Sequence, residues 1–178
     1  MLKNDIDTAD RYLTRFARLM RQTLEQSAFS EVPLEDDLQA LKTYLDLEQL
    51  RLKGKMKYTL TVDDNIPEAL VMVPSLILQP FIENSIIHGI GPKSETGTIS
   101  IHLSREGNLL NCCLEDDGVG RQTTASVKGE RKSLGMKITQ TRIDLLNKMY
   151  NSNGGIRLTD LQPGLRVEVR IPYNEQTA

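Results

Sequence analysis

The chain has 178 residues, with 22 lysines and arginines against 24 aspartates and glutamates and a formal charge of −2, a balance that excludes a nucleic-acid binder held by bulk charge. With glycines counted and tyrosines set aside, its apolar share is roughly 43%, close to that of core-forming globular chains, and its length predicts one domain plus an appendage. No apolar run approaches the ~20 residues of a bilayer span, and the opening MLKNDIDTAD has no apolar signal region, so these residues predict a soluble, unexported piece.

From Thr8 the apolar residues Ala9, Tyr12, Leu13, Phe16, Leu19, Met20 and Leu24 form one stripe of 3.6-residue period, which predicts a helix to about Ser27. A second helix is expected from the Pro33 break, with Glu35, Asp36 and Asp37 in its first turn and a stripe of Leu34, Leu38, Leu41, Leu45 and Leu52, ending at Gly54. The short loop SAFSEVP between them predicts an antiparallel helical hairpin over residues 1–54. After Gly54 the period becomes two, with Met56, Tyr58, Leu60 and Val62 alternating with polar neighbours, so a second unit is expected over 55–178. Pro74 is read as the first position of the next helix, LILQPFIENSIIHGI, with Pro80 kinking or interrupting it. Strands are predicted at Thr98 to Ser104 and Leu109 to Glu115, paired as a hairpin through REGN. Cys112 and Cys113 are adjacent, point to opposite faces of such a strand and cannot form a zinc or redox pair by themselves, which fits a reducing compartment. Residues 118–133 are rich in glycine, charge and hydroxyls and read as a mobile loop. The helix after it is expected to turn Leu134, Ile138, Leu145 and Met149 inward and to stop near Gly154 and Gly155, before two strands around QPG. This order predicts an α+β fold: a two-layer sandwich of a mixed or antiparallel sheet covered by helices on one face, with an N-terminal helical hairpin.

Three clusters carry the polar chemistry. Glu83, Asn84 and His88 follow Pro80; Asn84 and His88 are four apart on one helical face, where an amide oxygen and an imidazole can serve one ligand or a hard cation, or stand as a hydrogen-bonded amide beside a helix-terminal histidine. EDDGVG at 115–120 places Asp116 at a strand end before Gly118 and Gly120, an acceptor for an exocyclic amine beside backbone that can approach a flat ligand, or else a tight acidic turn. SLGMK at 133–137 opens a helix whose free amides and dipole suit a phosphate, or whose Ser133 is a plain N-cap. Thr123 breaks a G-x-G-x-x-G dinucleotide fingerprint, and no G-x-x-x-x-G-K-S/T phosphate loop occurs.

In that order the clusters resemble the ATP-binding domain of the gyrase, heat-shock chaperone, histidine kinase and mismatch-repair superfamily. LQPFIENSIIHGI, EDDGVG and SLGMKITQTRI are similar to the three boxes of sensor histidine kinases of the autolysin-sensor, LytS-like type. RYLTRFARLMRQTL and VPLEDDLQALKTYLDLEQLR resemble that family's stretch between the phospho-accepting histidine and the catalytic domain, so the resemblance covers roughly residues 9–173. It implies that Asn84 coordinates magnesium, Asp116 binds the adenine amino group, Gly118 and Gly120 shape the nucleotide floor, and Val119 to Ser133 form an ATP lid. Ser133, Gly135, Met136 and Lys137 would face the phosphates, His88 would join the cofactor site, and Glu83 would polarise the reacting histidine or water or stand as a structural neighbour of Asn84.

The chain departs from the wider family, where many relatives carry lysine at Ile87, glycine at Ser133, asparagine at Ile138 and threonine at Leu165. It also lacks the upstream P-H-F-x-F-N segment, and its two histidines, His88 and His102, lie in a helix and in the strand ISIHLS. The resemblance therefore implies a catalytic fragment of a longer kinase that uses ATP and Mg2+ on a histidine outside these residues and hands the phosphoryl group to a response regulator. It further implies a homodimer through the N-terminal helices, and membrane attachment only through segments outside this cytoplasmic part. The competing expectation is a degenerate nucleotide-binding or interaction module.

Overall fold

The computed structural model describes residues 12–14, 16–17, 20–21, 31–120 and 134–175. Residues 12–14, 16–17 and 20–21 are helical, as the first stripe predicts, and carry Leu13, Phe16 and Met20 exposed. The rest of that helix, its packing as a hairpin and the loop 121–133 lie outside the described residues.

The elements then run β1 (Glu31–Pro33), α1 (Leu34–Arg51), β2 (Met56–Val62), β3 (Val71–Pro74), α2 (Gln79–Asn84) with a π-helical turn (Ser85–Ile90), β4 (Gly97–Glu106), β5 (Leu109–Asp116), α3 (Leu134–Tyr150), β6 (Gly155–Asp160), β7 (Leu165–Pro172) and β8 (Asn174–Glu175). Five strands form one sheet in the order β2-β4-β5-β7-β6. β2 and β4 are parallel, and the other pairs are antiparallel.

Alternation along each strand sorts the two faces of this sheet. The register lines up Leu60, Ile101, Leu114, Val167 and Leu158 as one apolar row, and Val62, Leu103, Cys112, Val169 and Ile156 as the next. The opposite face carries Ser100, Glu115 and Arg166 in one row and His102, Cys113 and Glu168 in another. The described helices lie on the apolar face: Leu34, Leu38, Leu41 and Leu45 of α1, Phe81 and Ile82 of α2, Ile86 and Ile90 of the π turn, and Ile143 and Leu146 of α3 share one core with it. The fold is therefore the expected two-layer α+β sandwich.

Three features differ from the sequence reading. Pro74 does not open a helix; it ends β3, the middle strand of a small antiparallel sheet ordered β1-β3-β8, because Val71 and Val73 turn inward with period two. Pro80 lies in the first turn of α2, where the missing N–H breaks no helical bond, so the helix expected from Pro74 is interrupted before Gln79 and is not kinked at Pro80. The third difference is the face of α3. Leu134, Ile138, Leu145 and Met149 are 75%, 51%, 58% and 68% exposed, whereas Thr139, Ile143 and Leu146 are buried and Met136 and Tyr150 pack partly against the core. The two stripes lie about one residue, or ~100°, apart on the helix, so periodicity permits either. Arg142 is bonded to the turn after β3, its Nη1 donating to Ser75 O at 2.8 Å, in the orientation that turns Thr139 and Ile143 inward.

This orientation predicts opposite outcomes for two truncations. Ile143→Ala should cost about 2–5 kcal/mol in urea unfolding, and Leu145→Ala should stay within about 0.5 kcal/mol of wild type.

Candidate functional site

Asp116 belongs to the sheet row containing Tyr58, Ile99 and Leu165, so its carboxylate points to the apolar face rather than to solvent. It is only 4% exposed. Ser85 Oγ donates to its Oδ2 at 2.7 Å, and the Gly118 amide donates to its Oδ1 at 3.0 Å. Burial raises the pKa of this carboxyl above the ordinary range; the Ser85 hydroxyl and the Gly118 and Leu165 amides pull the other way, and the neighbouring Asp117 charge adds to the rise. A carboxylate offers about four lone-pair sites, so these bonds leave capacity for a further donor such as an exocyclic amine.

Backbone comes unusually close here. A Cβ on Gly118 would lie 2.5 Å from the carbonyl carbon of Gly89, and one on Gly89 would lie 2.9 Å from Asp116 Oδ1. The Val119 amide donates to Gly89 O at 3.1 Å, closing the contact between the π turn and the end of β5. Gly91 N donates to Ile86 O at 2.7 Å, the five-residue spacing that widens the helix and carries Gly89 over Asp116. Gly120 follows at φ +74, beside the Gly164 backbone.

Asp117 pins the turn from outside. Its Oδ1 accepts from Lys93 Nζ at 2.9 Å and from the Thr98 amide at 2.8 Å, and Lys93 Nζ also reaches Asp117 O at 2.9 Å. Partial burial works against ionisation, but Lys93 and Thr98 outweigh it and hold this carboxyl below the usual range.

Of the remaining predicted residues, Glu83 and Asn84 close α2 half-buried, with Gln79 Nε2 donating to Glu83 Oε1 at 2.8 Å. His88 is exposed on the π turn that follows. Among the described residues no three histidine, cysteine, aspartate or glutamate side chains gather to hold a metal. A hard cation at Asn84 would draw most of its oxygens from a ligand and water, a donor set that suits magnesium on phosphates. Gly135 and Met136 are half-buried in the first turn of α3 and Lys137 is exposed there, while Ser133 lies outside the described residues. Thus Asp116 and Gly118 are brought into direct contact.

The sequence reading missed Ser85, Gly89, Lys93 and Asp117. The available signal was Gly89, a glycine inside an apolar helical stretch, which commonly marks close packing.

A pH test follows from the burial of Asp116. Its carboxyl is harder to ionise folded than at its ordinary value of 3.8, so its contribution to stability is present at low pH and lost as pH rises through the raised value. Wild type should lose melting temperature relative to Asp116→Asn as pH rises from about 4, and a constant difference would contradict this.

The fold is that of histidine kinase catalytic domains. The histidine kinase domain of a blue-light activated kinase from Erythrobacter litoralis superposes with a TM-score of 0.61 at 17% identity, covering 90% of this chain and 74% of that one. The catalytic domain of the histidine kinase ThkA gives 0.53 at 17% identity, covering 83% of this chain and 99% of that one. By sequence the chain is similar to LytS and related sensor histidine kinases. It is 27% identical over 172 residues to the sensor histidine kinase YpdA of Escherichia coli, which is 96% of this chain and 30% of that protein. The sensor protein LytS of Oceanobacillus iheyensis is also 27% identical, over 184 residues that make up 97% of this chain and 30% of the relative. The family model described as histidine kinase matches residues 1–56. The chain thus spans about 30% of the length of these relatives.

Proposed function

We propose that these residues are the catalytic part of a two-component sensor histidine kinase, which binds magnesium ATP and transfers the γ-phosphoryl group to a histidine outside the chain, for relay to a response regulator. The observation that carries this reading is Asp116, buried at a sheet end with the Gly89 and Gly118 backbones against it and lone pairs left over for an adenine amino group. Bound ATP would supply the phosphoryl group, and the magnesium ion would offset its charge. Asn84 offers an amide oxygen to the ion, while Gly118 and Gly120 line the floor under the base. Gly135, Met136 and Lys137, with Ser133, present the start of α3 to the phosphates, where backbone donors and the dipole favour an anion. We assign His88 to the same nucleotide and Glu83 to orienting the acceptor imidazole. In phosphoryl transfer the protein mainly positions groups and stabilises developing charge, which suits this set of polar side chains and backbone donors.

The partners in this reading are a response regulator and a second copy of the chain. A structure of ThkA in complex with the response regulator TrrA aligns with this fold at a TM-score of 0.52 over 98% of this chain, which supports the first. The exposed Leu13, Phe16 and Met20 support a homodimer through the N-terminal helices, of which α1 also packs in the core of the sandwich. No described helix is long and apolar enough to cross a membrane.

A second reading, a nucleotide-dependent or wholly non-catalytic interaction module, is favoured by Ile87 and Ile138, exposed apolar side chains on the π turn and on α3. The two separate in one assay. Labelled ATP should leave this chain unmarked when alone and should transfer acid-labile phosphate to an added helical segment carrying the family's acceptor histidine. An unlabelled segment under conditions where nucleotide binds favours the interaction module.

Calorimetry tests the site itself. Magnesium ADP should bind in the micromolar range, and Asp116→Asn and Gly89→Ala should each weaken it about tenfold or more, the second by forcing a Cβ against the carboxylate. Unchanged binding in both would remove Asp116 from the adenine site.

A further inference from the structure

Asp37, in the first turns of α1, is 3% exposed. Its Oδ1 accepts the Leu76 amide at 2.6 Å, and Leu76 sits at φ 58, a left-handed conformation that a leucine adopts only under constraint. On the adjacent residue, Ser75 O accepts from Arg142 Nη1 of α3 at 2.8 Å. β1 leads straight into α1 and pairs with β3, with Glu31 opposite Pro74 and Pro33 opposite Met72. Residues 75–76 are therefore held from both sides, by β1 with α1 and by α3. Burial pushes the Asp37 carboxyl up to about 6, against the Leu76 amide and the Arg142 charge, so it remains available as an anion near neutrality.

The chain enters α2 at Gln79, directly beyond this clamp, and α2 ends at Asn84. We propose that Asp37 and Arg142 are positioning residues for the cation end of the site: by clamping residues 75–76 they set where α2 begins and hence where Asn84 stands. Neither is assigned contact with nucleotide or metal. This rests on the proposed nucleotide reading, and specifically on Asn84 as the magnesium ligand. It adds a physical link by which displacement of the N-terminal helices reaches the nucleotide site, since α1 and α3 converge on the same two backbone groups.

The test compares ATP affinity with excess magnesium and with chelator in the whole chain, using wild type, Asp37→Ala, Asp37→Asn, Arg142→Met and Asn84→Ala, each well below its melting temperature. The quantity read is the gain in affinity that magnesium confers. Asp37→Ala and Arg142→Met should lose about tenfold of that gain while metal-free affinity stays within about twofold. Asp37→Asn keeps an acceptor for the Leu76 amide and should retain the gain. The proposal is overturned if the folded variants keep the wild-type gain, or if metal-free affinity falls equally, which would mean general loosening. If Asp37→Ala does not fold, Arg142→Met alone decides. If wild type shows no magnesium gain, or Asn84→Ala keeps it, the assignment of Asn84 fails and the positioning proposal falls with it. Loss of all nucleotide binding in wild type would instead overturn the nucleotide reading as a whole.

Discussion

The contact on which the site depends is between two stretches of bare backbone, Gly89 in the π turn and Gly118 just past β5. Any side chain at either position would have to share space with main-chain atoms or with the Asp116 carboxylate. Their closeness lets the helical layer sit directly on the end of the sheet, and it places Ser85 and Gly118 as donors on opposite oxygens of one buried acid. A buried carboxylate without such donors would neutralise itself; with two it is kept as a usable acceptor. The π-helical widening is part of the same arrangement, because it brings Gly89 rather than a larger neighbour over Asp116.

The sheet supplies the other half. Apolar residues at alternate positions create a floor of aligned rows, and Asp116 occupies a position in the row beside Ile99 and Leu165 that an aliphatic residue would otherwise fill. Local rules therefore conflict at this residue, with strand periodicity calling for a hydrophobe and the sequence placing an acid. Such a conflict, resolved by specific hydrogen bonds, is the usual physical mark of a site rather than of packing. Lys93 and Asp117 stabilise the turn that carries this conflict, holding it against the start of β4.

Much of this was legible in the chain. The shift from helical to alternating period near Gly54, the strands at Leu109 to Glu115 and their neighbours, and the acid before two glycines all follow from side-chain spacing alone. What was not legible depends on long-range geometry. Ser85 looks like an ordinary helical serine until β5 is brought beside it, and Gly89 reads as a weak helix position. In α3, Leu134, Ile138, Leu145 and Met149 are the more hydrophobic stripe yet lie outside, because the burial of Thr139 and Ile143 and the bond from Arg142 to Ser75 O rotate the helix by one residue. Pro74 was assigned to the helix that follows rather than to the end of β3, and Pro80 to the interior of that helix rather than to its first turn, since a proline is equally at home at a strand end and in a first helical turn.

The central claim is that the junction of the π turn with the end of β5 is where an adenine nucleotide binds. Titrating magnesium ADP into 15N-labelled chain and following backbone amides tests this without relying on any variant. The account predicts that the largest shifts gather on Ser85, Gly89, Gly118 and Val119, with a second group at the start of α3. Saturable binding that leaves those four amides in place and moves residues elsewhere would contradict it.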